Sequence, residues 1–285
     1  MSDTGKVLLK KKKNGSGKGN LLNIPYSVWA VAFIIIPMFI IAYYAFTDSD
    51  GGFTFENLEK LPLYKDIIID SFFYALIATI ITFLLAYPFA YFVTKCSETT
   101  QKIIMMLVMI PLWMNLLILT YSIMMIIERE GLINNLLDNL GFDKVTIMGT
   151  PGAVILGMIY SYFPYMVLPL VSVMSKIDNS LLEASADLGS NSVSRFFRII
   201  FPLSLPGIIS GATMVFVPSV STFYIAQVLG QNGVNMIGDK IDELLHMDGG
   251  RGQGALLALI LMVVILIILV CVNRFSDSDE GGMVI

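Results

Sequence analysis

One histidine, two cysteines and a thin scatter of carboxylates are all that this 285-residue chain offers to catalysis. His246 stands alone, and no His-Glu-x-x-His occurs that could hold a zinc ion. Asp70 is the only carboxylate near the interior of an apolar run, and acid–base chemistry in a membrane needs a pair. Gly15-Ser16-Gly17-Lys18-Gly19 lacks the first glycine and the final hydroxyl of a phosphate-binding loop, so no nucleotide site is expected in this chain. Asp48-Ser49-Asp50-Gly51-Gly52 lacks the downstream glutamate of a calcium loop and reads as a turn. Cys96 and Cys271 both close apolar runs and read as structural thiols. The chemistry that remains is recognition. Two groups of residues could perform it.

The first group is a spaced pattern between Lys176 and Ser204. Ser180 followed by Glu183 has the form of a capping box, which predicts a helix beginning at Ser180. Gly189 fits the left-handed position just past that helix. A second short helix follows, with Val193, Phe196, Phe197 and Ile200 at the spacing of one apolar face. Ser194, Arg195 and Arg198 fall on the other face, and Pro202 is expected to stop the helix. A helix, a glycine corner and an amphipathic helix can act as a lever, or lie in the membrane interface with arginines reaching to headgroups. The second group is polar and aromatic residues inside apolar runs: Asn115, Thr120, Tyr121, Tyr160, Tyr162, Thr222, Tyr224 and Gln227. Aromatic faces bind ammonium groups, so these are candidates for a cation pathway.

The elements that must position these groups are set by composition. Hydrophobic residues make up 56% of the chain and charged residues 14%, with a mean hydropathy of +0.77. A soluble domain carries about 25% charged residues, so this chain is expected to face lipid. Six uncharged runs are long enough to span a bilayer, which needs about 20 apolar residues. The expected spans lie near 25–47, 68–94, 103–127, 149–174, 205–229 and 252–273, within a membrane domain over 21–275. A flexible basic leader over 1–20 precedes them and a tail over 276–285 follows. Placing both termini in the cytoplasm puts twelve of the 18 Lys and Arg inside. The 176–204 loop is then cytoplasmic. The outer loops hold thirteen of the 22 Asp and Glu, among them Glu128, Glu130, Asp239, Asp242, Glu243 and Asp248. An acidic mouth favours cations and disfavours oxyanions.

Glu183-Ala184-Ser185, Gly189 and Ile199-Ile200-Phe201-Pro202 resemble the EAA motif of ABC importer permeases, in which Glu-Ala-Ala and a glycine precede Ile-x-Leu-Pro. Ser185 replaces the second alanine and Phe201 the leucine. The resemblance covers nearly the whole chain after the leader and is closest to permeases for spermidine and putrescine. It runs through Tyr87-Pro88-Phe89-Ala90, Ile110-Pro111-Leu112-Trp113, Gly131-Leu132-Ile133-Asn134 and residues 181–211. It implies an all-α, six-span fold of the type I importer architecture in a bacterial cell membrane. It further implies that Glu183, Ala184, Ser185, Gly189, Arg195, Arg198 and Pro202 couple the chain to a separate ATPase dimer. That dimer would hold the ATP and magnesium, and this chain no cofactor. The other implied partners are a second, homologous permease, an extracytoplasmic polyamine-binding protein and membrane lipid; no nucleic acid is expected. A sister importer for another small solute, such as an opine or iron, has the same architecture and stays open as an alternative. A non-transporting membrane scaffold or receptor is the remoter one.

Overall fold

The computed structural model describes residues 25, 28–48, 51–231 and 233–280, without the side chains of 273 and 275–280. The leader over 1–20 and the last five residues lie outside the described residues. Those described form helices and turns without a β-strand; one antiparallel bridge, Thr47 to Phe53, closes the loop after the first helix. The fold is all-α. Among the described residues five helices are long and apolar enough to cross a membrane, six if the bent pair counts as one span.

Helix α1 covers Val28–Ala45 and α2 Lys65–Thr94. Helix α3 (Glu98–Trp113) and α4 (Leu116–Ile127) form the bent pair, followed by the short α5 (Leu132–Asn139). Helix α6 is Pro151–Met174 and α7 is Asn179–Asp187. Helix α8 runs Ser192–Val220, with a π turn over Phe196–Ile200. A second π turn, Ala226–Gly230, precedes α9 (Ile237–His246) and α10 (Arg251–Glu280).

The centre is α6, packed between α2 and α8. It buries residues on several sides, including Val154, Met158, Met166, Leu170 and Met174. Hydrocarbon gives no hydrophobic drive between helices, so association depends on close packing, which small residues permit. Helix α8 meets α6 at Gly207 and Gly211: a Cβ there would lie 3.0 Å from the Pro169 carbonyl oxygen and 2.7 Å from the Met166 sulfur. Several buried hydroxyls bond within their own helices, while Ser161 Oγ on α6 is buried without a hydrogen-bond partner among the described residues. Thr79 and Thr82 of α2 donate to the Ala75 and Ala78 carbonyls, and Thr120 of α4 to Leu116. Helix α1 rests on α10 through Ala45, Ala255 and Leu256, leaving Trp29, Phe33, Phe39 and Tyr43 exposed.

Several expectations need correction. The third span is not one helix over 103–127; α3 and the segment from Leu116 meet at 99°. Pro111 removes a ladder donor, and the Asn115 carboxamide oxygen accepts from the Leu117 amide at 2.8 Å, starting a new helix there. The fifth span is Ser192–Val220 rather than 205–229. Pro202 does not stop a helix. The Phe201 amide bonds back to the Phe196 carbonyl, so the register is already widened where the proline has no N–H to give. The loop before this span is therefore shorter than 176–204. The π turn also splits the expected apolar face: Ile200 is buried and Phe196 half-buried, whereas Val193 and Phe197 point outward.

Candidate functional site

The first candidate site is α7 with the corner that follows it. Asp178, not Ser180, caps α7; its carboxylate accepts from the Ser180 amide at 2.9 Å. That hydrogen bond holds its carboxyl below the usual carboxylate range. An aspartate two residues before a serine offers the same Asx cap as the box reading, and its charge suits a helix N-terminus. The Asp178–Ser180 spacing is the sequence signal for this cap. Glu183 is exposed and caps nothing.

Gly189 has φ +82°. Its amide bonds to the Ala186 carbonyl at 2.8 Å, and the Ser190 amide to the Ser185 carbonyl at 3.1 Å. This pair of bonds is a Schellman ending, which needs a left-handed residue at Gly189. The Ser185 and Ser190 hydroxyls, 2.8 Å apart, close the corner. A serine in place of alanine thus adds a bond across the turn. Asn191 caps α8 through the Ser194 amide. The Arg195 guanidinium reaches Ser192 Oγ at 3.1 Å and the Leu182 carbonyl at 3.5 Å, tying α8 back to α7. Arg198 and Ala184 are exposed, and Pro202 lies within α8. Beneath α7 lies a cleft of about 250 Å³ lined by Tyr91, Lys95, Glu183 and Arg195. Lys95, whose ammonium sits 5.4 Å above the Tyr91 ring, carried no sequence signal for this place.

The second candidate site is only partly gathered. Tyr121 and Tyr224 meet edge to face with centroids 6.3 Å apart. Tyr162 and Thr222 are both buried, and the Tyr162 hydroxyl donates to the Pro218 carbonyl at 3.4 Å. Thr222, Tyr224 and Gln227 lie past the end of α8 rather than inside a span. Thr120 is buried on α4. Asn115 is spent on its cap. Tyr160 is separate, in an apolar groove with Val108, Pro111 and Phe163.

The bundle end opposite α7 carries the acidic loops. Glu130 pairs with Lys144 at 2.8 Å and Glu243 with Lys240 at 2.9 Å. The Lys144 hydrogen bond holds the Glu130 carboxyl low, while burial pushes Asp239 up, helped by Glu243 and Asp242. Asp248 lines a cavity of about 500 Å³ with Tyr44, Asp48, Glu56 and Arg251.

An exposed helix and corner at one end of a membrane bundle is a surface for recognition, and comparison with known proteins says of which kind. Residues 86–277 match the family of binding-protein-dependent transport system inner membrane components. The chain belongs to that family. This transport-system membrane component is 38% identical to the spermidine/putrescine transport system permease protein PotB of Haemophilus influenzae, over 75% of this chain and 78% of that one. It is 37% identical to PotB of Escherichia coli, over 75% and 81%. Among solved structures, the bacterial alginate ABC transporter in complex with alginate pentasaccharide-bound periplasmic protein has a chain that superposes with a TM-score of 0.76. That match covers 90% of this chain and 93% of that one at 16% identity, which shows the fold of an ABC importer permease.

Proposed function

We propose that this chain is the membrane-spanning half of an ATP-driven polyamine importer, coupling to a separate ATPase through α7. The kinship with spermidine/putrescine permeases over three quarters of both chains carries the substrate class. The geometry supports the rest. Helix α7 buries none of its residues and is free to meet a partner. In this reading α7 and both termini are cytoplasmic, and an ATPase dimer binding ATP and magnesium docks there. Glu183, Ala184, Ser185, Gly189, Arg195 and Arg198 present the docking surface, and Pro202 passes its motion into α8. A second, homologous permease completes the cavity, and an extracytoplasmic polyamine-binding protein delivers solute to the acidic end. The Tyr121–Tyr224 pair offers aromatic faces suited to an ammonium group.

The test is uptake of labelled spermidine and putrescine by bacteria lacking their own importers, with the whole complex expressed. Uptake of at least one is expected, and is abolished when the ATPase is inactivated. Uptake of another solute but neither polyamine overturns the substrate and leaves the permease reading standing.

A further inference from the structure

A pair of buried hydroxyls that the coupling surface does not include joins α2 to α8. Tyr87 of α2 and Ser204 of α8 are 2.9 Å apart, oxygen to oxygen, and both side chains are buried. Ser204 Oγ donates to the Phe201 carbonyl at 2.8 Å, so its one proton is used and the Tyr87 hydroxyl must be the donor. The result is a relay from Tyr87 through Ser204 to the backbone of α8.

It reaches α8 where the helix is weakest. The π turn Phe196–Ile200 ends one residue before Phe201. Pro202 has no N–H for the ladder, and Pro206 leaves the Pro202 carbonyl without its usual donor. Such turns and prolines are where helices bend. Tyr87 itself precedes Pro88, a gap in the ladder of α2. Aromatic packing makes the joint rigid only while it is aligned: the Tyr87 ring lies 5.6 Å from Phe196, edge on, and 6.0 Å from Phe201. In this low-dielectric setting a buried tyrosine hydroxyl that loses its acceptor bears its full desolvation cost, so parting Tyr87 from Ser204 is resisted.

We propose that Tyr87 is a positioning residue for coupling: its hydroxyl latches the Phe196–Pro206 hinge, so that motion of α7 is passed into α8 instead of being absorbed at the π turn. This rests on the permease reading above. The test uses the assembled complex in lipid nanodiscs and proteoliposomes. Tyr87→Phe keeps the ring contacts and removes the hydroxyl. Amide hydrogen exchange over residues 198–205 is expected to quicken about fivefold, the factor one ordinary net hydrogen bond carries. Solute moved per ATP hydrolysed falls by a similar factor while assembled complex and melting temperature hold. Ser204→Ala, which leaves the Tyr87 hydroxyl buried without its acceptor, is expected to quicken exchange at least as much and to lower the melting temperature; Ser204→Thr restores both readouts, and adding Tyr87→Phe to Ser204→Ala makes neither readout worse. Unchanged exchange, or an unchanged ratio of transport to hydrolysis, overturns the latch. So does a loss of transport that merely follows loss of assembled complex. A wild-type complex without solute-linked hydrolysis overturns the permease reading itself, and the exchange measurement then still decides whether the hydroxyl holds the hinge.

Discussion

Replacing Gly189 with valine separates the backbone requirement of the corner from any contact its side chain would make. At φ +82° nothing lies within 4 Å of a would-be Cβ, so valine meets no clash. What it meets is the backbone: an L-residue held left-handed costs about 1–2 kcal/mol, with β-branched residues least tolerant. The chain can escape by unwinding the corner. It then gives up the amide bonds from Gly189 to Ala186 and from Ser190 to Ser185. Water replaces these exposed bonds at a net loss of about 0.5–1.5 kcal/mol each. The cheaper route sets the cost, so the formed corner is disfavoured by about 1–2 kcal/mol, a factor of about 5–30 in its population. Helix α7 buries no residue, so the cost stays local. Membrane level and melting temperature should match the parent, while ATPase affinity, from a binding isotherm on nanodisc-held permease, weakens by that factor and transport falls with it. Asparagine, which tolerates the left-handed region, should recover most of the affinity. Wild-type affinity in the valine variant would falsify the argument. Asparagine as weak as valine would show that the missing side chain, rather than the φ angle, is what docking requires.

Three further outcomes follow from the same structure. Gly211→Leu drives a side chain into the Met166 sulfur and carbonyl, 2.7 and 3.2 Å from its Cβ, and should cost about 1–3 kcal/mol and lower the melting temperature in detergent; an unchanged melting curve refutes tight α6–α8 packing. A cysteine at Leu188, 89% exposed, in a Cys96→Ser, Cys271→Ser background should resist a membrane-impermeant thiol reagent in intact cells and react in inverted vesicles; the reverse pattern puts α7 outside. Folding raises the Asp239 carboxyl above its unfolded value, so the native state binds a proton more readily than the unfolded chain. Its penalty is absent below the unfolded value and complete above the folded one. Asp239→Asn should therefore raise the melting temperature at neutral pH, with the gain vanishing in acid; a gain that persists in acid rules out this origin.

Much of the fold is legible because hydropathy writes spans directly. Lipid admits only helices and closed barrels, whose backbone bonds are all satisfied, and uncharged runs of about 20 residues have the helical length. The breaks are less legible because they depend on which local bond wins. Asn115 can sit in a helix or end one, and only the neighbouring Pro111 and the packing of α4 decide for ending. Pro202 reads as a stop until the π turn before it is known. Gly189 was readable because a left-handed residue after a helix is a local demand. Asn134 was not: it is fully buried and holds the Glu128 carbonyl together with both backbone groups of Val145, 11 residues on, a partnership no periodicity announces. The pathway residues were the least legible, since the helix end at Val220 moves Thr222, Tyr224 and Gln227 out of the span on which they were placed.

The length of α8 explains why a latch at its middle matters. From Ser192 to Val220 the helix has 29 residues, about 43 Å at 1.5 Å each. A rigid rod of that length, tilted at its α7 end, moves its far end by roughly 0.7 Å for each degree. A tilt of a few degrees would then break the 3.4 Å contact between the Tyr162 hydroxyl and the Pro218 carbonyl, and shift Thr222 just beyond. The rod is interrupted a third of the way along by a π turn and two prolines, which can take up the same few degrees by bending. Whether α7 moves the far end therefore depends on what stiffens that stretch. Aromatic contacts resist compression but allow sliding, whereas the Tyr87–Ser204 bond fixes a distance and a direction. In the proposed coupling, motion of α7 crosses the membrane only to the extent that this joint holds.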